Sequence, residues 1–311
     1  MIRLKKILVP VDFSDPSRKA LDYGAALALK FGSRLVVAHV VPSLAAFNYA
    51  FPADSFELDK RAFADAKQRV PQMIPHEYRS IVDIQTVVEN GDVREEILRI
   101  VNTEDIDLVV MGTHGRGSFS HFVLGSTTES ILRRVPVPIL TASHLSPEHE
   151  VYEHRTIPIH RILYATDLTE NMRIGLRYSA QLARGFDAEL TLLNVVDNAE
   201  LFHGIRGFAA DRDNAVSRFN WALGEEHVKG VRTEINVLEG QPHSTILRFA
   251  ESSKVDLIVL NLHSKSFLER AMLGSTAERV IRSASLPVLS LPVSSADRYM
   301  TAIAAAVQVN S

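Results

Sequence analysis

Ile7-Leu-Val-Pro-Val-Asp12-Phe-Ser-Asp15 is written a second time as Ile162-Leu-Tyr-Ala-Thr-Asp167-Leu-Thr-Glu170. Each copy is a short apolar run ending in an acid, and each leads into an alanine-rich stretch of helical period, residues 20–31 and 176–186. Apolar runs follow at 35–41 and 190–196. Asp107-Leu-Val-Val-Met-Gly112 is then matched by Asp256-Leu-Ile-Val-Leu-Asn261, and Leu124-Gly-Ser-Thr-Thr-Glu129 by Leu273-Gly-Ser-Thr-Ala-Glu278. Both halves close on a proline-bearing apolar run, Val137-Pro-Ile-Leu140 and Leu286-Pro-Val-Leu289. So many elements kept in one order mark an internal duplication. The copies are 155 residues apart at Asp12 and Asp167 but 149 apart at Gly125 and Gly274, so the second is six residues shorter in between. A loop and helix after the second strand would absorb that loss.

Within the first copy the pattern predicts strands over 7–11, 35–41, 81–88, 108–112 and 137–142. Helices are expected over 16–31, within 56–73, and over 93–102 and 126–134. Pro16 suits a first helical turn, with Asp15 or Ser14 as its cap. The strands are continuous apolar runs rather than alternating ones, as in sheets covered on both faces. Alternating β and α elements then imply an α/β fold with two tandem, doubly wound, mostly parallel sheets. The expected organisation is a first domain over 1–143, a linker of His, Glu, Pro and Ser over 144–159, a second domain over 160–293 and a tail over 294–311. The final strands, 137–142 and 286–291, are natural edges, and the halves are expected to meet through them as an intrachain pseudo-dimer.

The bulk composition narrows the chemistry. The 311 residues are 46% hydrophobic and 23% charged, a globular profile with enough chain for two cores. No cysteine is present, which removes disulfides, thiolate metal sites and cysteine nucleophiles. The formal net charge of −3 leaves no basic footprint for nucleic acid or membrane. The amino-terminal residues lack the apolar stretch and cleavage site of a signal peptide, and no run is long enough to span a bilayer. A cytoplasmic protein is expected.

Open α/β sheets bind ligands beyond the carboxyl ends of their strands, where strand order reverses. The first strand ends in Pro10-Val11-Asp12 and the fourth in Gly112-Thr113-His114-Gly115-Arg116. The segment runs on to Gly125-Ser126-Thr127 at a helix start, in the pattern G-x2-G-x9-G-[ST]. Glycines let backbone N–H groups approach an anion, and a helix N-terminus adds unpaired amides and a favourable dipole. Ser126 and Thr127 add hydroxyls and Arg116 a charge, while Asp12 suits ribose hydroxyls or an adenine amine. No lysine follows Gly125, so this is not a Walker A loop, and the glycine order is not that of a Rossmann fingerprint.

Taken in order, the strand ending at Asp12, His39-Val40, the glycine pattern and the proline-apolar last strand resemble the universal stress protein family over nearly the whole chain, twice. The resemblance implies sheets ordered 3-2-1-4-5, related to adenine nucleotide α-hydrolases. It implies ATP as ligand, with Asp12 and the backbone near Val40 on the nucleoside. Gly112, Gly115, Gly125, Ser126 and Thr127 would hold the phosphates. Mg2+ would arrive through the phosphates and water. Family members commonly form dimers through their last strands and act in stress survival.

Plainer readings stand beside these. Asp12 also suits the cap of the following helix, and Gly112 and Gly115 a tight turn. Ser126-Thr-Thr-Glu129 and Ser275-Thr-Ala-Glu278 both read as capping boxes. His114 and Arg116 read as loop surface, His39 as a core-edge or surface residue, and no metal or catalytic set is apparent. In the second copy Asn261 and Ser264 replace Gly112 and Gly115; side chains there would intrude on a phosphate, so that site reads as degenerate despite Lys265. The leading functional reading is a regulatory ATP-binding protein. A slow ATPase or phosphotransferase, and a nucleotide-free interaction scaffold, are the alternatives.

Overall fold

The computed structural model describes residues 4–43, 52–113, 124–142, 157–169, 171–197, 208–225, 228–262 and 274–292. The expected linker lies mostly outside these ranges, as do the tail, His114, Gly115, Arg116, Ser264 and Lys265. The chain divides into two compact units, Leu4–Ile157 and Pro158–Ser311.

In the first unit the strands are β1 (Lys6–Pro10), β2 (Arg34–Pro42), β3 (Ile84–Gly91), β4 (Leu108–Gly112) and β5 (Ile139–Ala142). They form a wholly parallel array in the order β3-β2-β1-β4-β5. Helices α1 (Asp15–Phe31), α2 (Pro52–Met73), α3 (Val93–Thr103) and α4 (Ser126–Arg134) connect them. Right-handed crossovers put α1 and α2 on one face and α3 and α4 on the other. Ile7, Leu8 and Val9 are therefore fully buried, which is why β1 is an unbroken apolar run.

The second unit repeats the plan. Its strands are β6 (Arg161–Ala165), β7 (Glu189–Val196), β8 (Thr233–Glu239), β9 (Leu257–Leu262) and β10 (Val288–Pro292), parallel in the order β8-β7-β6-β9-β10. Its helices are α5 (Met172–Phe186), α6 (Phe208–Leu223), α7 (Pro242–Ser252) and α8 (Ser275–Ser283). No helix among the described residues is long and apolar enough to cross a membrane.

Three element limits differ from the expected ones for identifiable reasons. β3 starts at Ile84, not Ile81, because the Tyr78 carbonyl accepts from the N–H groups of Ile81 and Val82 and closes a turn there. Ile81 is left 44% exposed, an apolar residue outside the sheet. β5 starts at Ile139 because Pro136 and Pro138 bring no N–H to a ladder. α1 starts one residue early, at Asp15, with Ser14 as N-cap and its hydroxyl accepting from Ser17 N at 3.4 Å.

Candidate functional site

Strand order reverses in the first unit between β1 and β4. Leu8 pairs with Val109 across that junction, and carrying the register forward four residues sets Asp12 level with Thr113. Asp12 is held by its own loop: its Oδ1 accepts from Ser14 N at 3.1 Å and from Ser14 Oγ at 2.5 Å. The chain turns sharply here, with Phe13 at a φ of 66°. A non-glycine residue in that region is uncommon, and bulky residues pay for it.

The β2 end lies beside Asp12 at the same rim of the sheet. Val11 N donates to the Ala38 carbonyl at 2.8 Å, after which β1 has ended. Backbone groups two residues apart along a strand point the same way, so those of Val40 face the crevice rather than a neighbouring strand. His39 Nδ1 lies 2.6 Å from the Val11 carbonyl oxygen; the oxygen only accepts, so the ring carries its proton on that nitrogen. The His39 ring meets Phe13 at a tilt of 49° with centroids 4.5 Å apart, and the Arg69 guanidinium sits 4.1 Å from the Phe13 centroid. The sequence reading gave Phe13 and Arg69 no role and took His39 as a core-edge or surface residue. The one available signal was the aligned pair His39 and Asn194, since Asn194 Nδ2 likewise donates to the Thr166 carbonyl, at 3.0 Å.

On the β4 side, the two ends of the glycine loop are fastened together. Gly125 N donates to the Thr113 carbonyl at 2.9 Å, and Thr128 Oγ1 donates to the Gly112 carbonyl at 3.0 Å. Thr113 N in turn donates to Ala142 at 3.2 Å. The loop between them therefore leaves from and returns to one place beside Asp12. The capping boxes are not formed as expected. Gly125 and Gly274 are the N-caps, with no side-chain cap bond, and Ser126 and Ser275 are already helical. Glu129 instead pairs with Arg133 and Glu278 with Arg282, each within 2.6 Å. Helix geometry leaves the N–H groups of Ser126 and Thr127 without an intrahelical acceptor. Ser126 is exposed and Thr127 half-buried, so both can be reached from the crevice.

Gly112 has a further duty. A Cβ on it would stand 2.8 Å from Pro16 Cβ and 2.9 Å from the Pro16 carbonyl carbon and oxygen. Its bare Cα lets the first turn of α1 close onto β4.

The second unit solves the same contact differently. Asn261, in place of Gly112, turns its amide inward: Nδ2 donates to Tyr164 Oη at 2.8 Å and to the Asn171 carbonyl at 3.0 Å. Tyr164 Oη donates to the Met172 carbonyl at 3.0 Å, and burial pushes its phenol well above the usual value. Room for this buried cluster comes from Gly175, where a Cβ would meet Tyr164 Oη and Asn261 Oδ1, and from a helix that starts two residues later in the repeat. The Asn261 amide nitrogen, on a side chain expected to intrude on a phosphate, is tied to the start of α5, while the residue still lines the crevice of this unit. Asp167 keeps the loop role of Asp12, its Oδ1 accepting from Thr169 N at 3.2 Å, and Leu168 repeats the turn with a φ of 61°.

The comparisons with known proteins agree with this architecture. The model of the universal stress protein family matches residues 3–142 and again 158–292. A universal stress protein of Methanocaldococcus jannaschii is 34% identical over 139 residues, covering 42% of this chain and 79% of that protein. One from Synechocystis is 23% identical over 317 aligned positions, covering 92% of this chain and 99% of its own. The crystal structure of an Archaeoglobus fulgidus universal stress protein covers 93% of this chain and 97% of its own, with a TM-score of 0.67 at 22% identity, a likeness of fold. Two family matches in tandem, each laid over a sheet of the order expected from the resemblance, decide the matter: the protein belongs to the universal stress protein family, with two copies of its domain in one chain.

Proposed function

We propose that the first unit binds an adenine nucleotide, in the form of ATP, and that the protein acts in the cytoplasm as a nucleotide-dependent regulatory or stress-survival factor. The observation that carries this reading is the fastening of Gly112 and Thr113 to Gly125 and Thr128, which presents the open first turn of α4 beside Asp12. Asp12, with Pro10, Val11 and the Val40 backbone around it, would take the ribose and base. The loop glycines Gly112, Gly115 and Gly125, with Thr113, Arg116, Ser126 and Thr127, would take the phosphates, and Mg2+ would enter with them. Unpaired amides at a helix start suit such an anion. Regulation is favoured over turnover because Asp12 would stand at the nucleoside end of the crevice and, among the described residues, no general base is identified at the phosphate end.

The test is titration of nucleotide-stripped protein and of its Gly115→Val variant with ATP. A β-branched side chain at Gly115 should block the approach of phosphate oxygens and weaken binding at least tenfold, with the thermal transition retained. Equal affinity in the two proteins would show that the loop does not hold phosphate.

A further inference from the structure

Three contacts converge on the turn that carries Asp12. Just before the acid, the Val11 carbonyl accepts from His39 Nδ1 at 2.6 Å. Just after it, the Phe13 ring meets the His39 ring with centroids 4.5 Å apart. The Arg69 guanidinium sits 4.1 Å from the Phe13 centroid, within reach of a cation–π attraction. Arg69 belongs to the last third of α2 and is itself held there, its Nη1 donating to Asp65 Oδ2 at 3.1 Å, one turn back. Through that arginine, α2 grips the residue next to Asp12.

Folding does not call for this clamp. Leu168, the counterpart of Phe13, takes nearly the same backbone conformation, a φ of 61° against 66°, and offers no ring to a cation. The buried pairs Ala66 with Ala215 and Val70 with Phe219 set the register of α2 against α6. Arg218 then stands at the position of Arg69 and Asn214 at that of Asp65, so the second copy keeps the arginine without the ring or the acid at these positions. The clamp accompanies the intact glycine loop of Gly112 and Gly115 and is missing beside Asn261 and Ser264. Because the turn forms either way, the clamp serves to fix it. A left-handed φ is unfavourable for a bulky residue, so an unheld Phe13 leaves the turn other conformations, and Asp12 moves with it. A loop fixed beforehand in its bound shape loses less freedom when a ligand arrives.

We propose that Arg69 is a positioning residue for the nucleotide site of the first unit. Acting through the Phe13 ring, it holds the Asp12 turn in the shape that receives the nucleoside. The inference rests on the role proposed above for Asp12.

The experiment is a double-mutant cycle on the full chain, with ATP affinity measured by calorimetry for Arg69→Met, Phe13→Leu and the two together. Phe13→Leu copies the second unit at this turn, so the fold should tolerate it. Arg69→Met should weaken binding about threefold, the scale of one exposed cation–π contact, and Phe13→Leu, which removes both ring contacts, roughly five- to tenfold. Adding Arg69→Met to Phe13→Leu should cost nothing further, because the ring through which the arginine acts has gone. Arg69→Lys returns a cation to the ring and should recover the lost affinity. Unchanged affinity in Arg69→Met would overturn the proposal. So would an equal loss in both backgrounds, which would mean that the arginine acts by its charge on the phosphates or through the stability of α2. An unaltered chain that binds no ATP would remove the reading of the site and this inference together, whereas firm binding indifferent to Arg69→Met removes this inference alone.

Discussion

Gly112 shows how one residue position can serve packing as well as the ligand role proposed for it. With Pro16 atoms at 2.8 to 2.9 Å from the Cβ it lacks, and two of the three belonging to backbone, there is no flexible group to give way. Gly112→Ala is expected to destabilise the protein by about 1–3 kcal/mol, the usual cost of overpacking. Urea unfolding checks this; an unchanged midpoint would mean that α1 and β4 separate freely. A second residue-scale prediction concerns Glu225, whose oxygens accept from Arg173 Nε at 2.6 Å and Arg177 Nε at 2.8 Å. Burial by itself raises this carboxyl, but the bonds and charges of Arg177 and Arg173 outweigh it and hold the group below its usual value of 4.5. A depressed folded value means that the stabilisation is present above the unfolded value and lost as pH falls through the folded one. Glu225→Gln should therefore cost about 1–3 kcal/mol at neutral pH. The gap between variant and parent should close as the solution is acidified below the ordinary glutamate range. Melting curves across that range test it, and a gap independent of pH would contradict the assignment.

At the scale of elements, helix starts decide the character of the site. α1 is capped by the Ser14 hydroxyl, whereas α4 begins at Gly125 with its first amides open. A well-capped helix is finished; an uncapped one beside a glycine loop is ready to accept an anion. Thr128 Oγ1 is the side-chain tie that sets where α4 starts relative to β4. Thr128→Val keeps the shape and removes the bond, leaving a buried carbonyl short of one donor. A loss of about 1 kcal/mol is expected, together with severalfold weaker ATP binding as the loop ends part. Calorimetry of unfolding and of ATP binding measures both. A stability loss without an affinity loss would detach the fastening from the ligand. The sequence was legible at this scale wherever apolar period and punctuation agreed, as for β4 and α4, whose limits fall where expected. It misled at β3, because apolar character at Ile81 and Val82 does not distinguish a strand from the turn that feeds it.

For the whole molecule, the two units share a strand order and differ at the loop glycines, Gly112 and Gly115 against Asn261 and Ser264, and this difference predicts asymmetric occupancy. The expected stoichiometry is one ATP per chain. Asp12→Ala should weaken ATP binding at least tenfold, because a hydrogen bond to a charged group is worth about 1.5–3 kcal/mol and each 1.4 kcal/mol is tenfold. Asp167→Ala should leave ATP binding unchanged. Titration calorimetry decides it: two equal sites, or loss only with Asp167→Ala, would reverse the assignment of the units.

The duplication, the parallel doubly wound sheets and the glycine pattern could be read from residue order alone, because period and repetition are properties of the chain in one dimension. Where side chains point could not. Asn261 reads as an obstacle to phosphate until its amide is found bonded to Tyr164 and Asn171, residues 97 and 90 positions away. The cluster of Phe13, His39 and Arg69 likewise joins the β1–α1 turn, β2 and α2, and only folding brings them within reach. Periodicity follows from local backbone geometry, which the sequence carries directly. The direction and company of a polar side chain follow from packing across strands, which only the tertiary structure supplies.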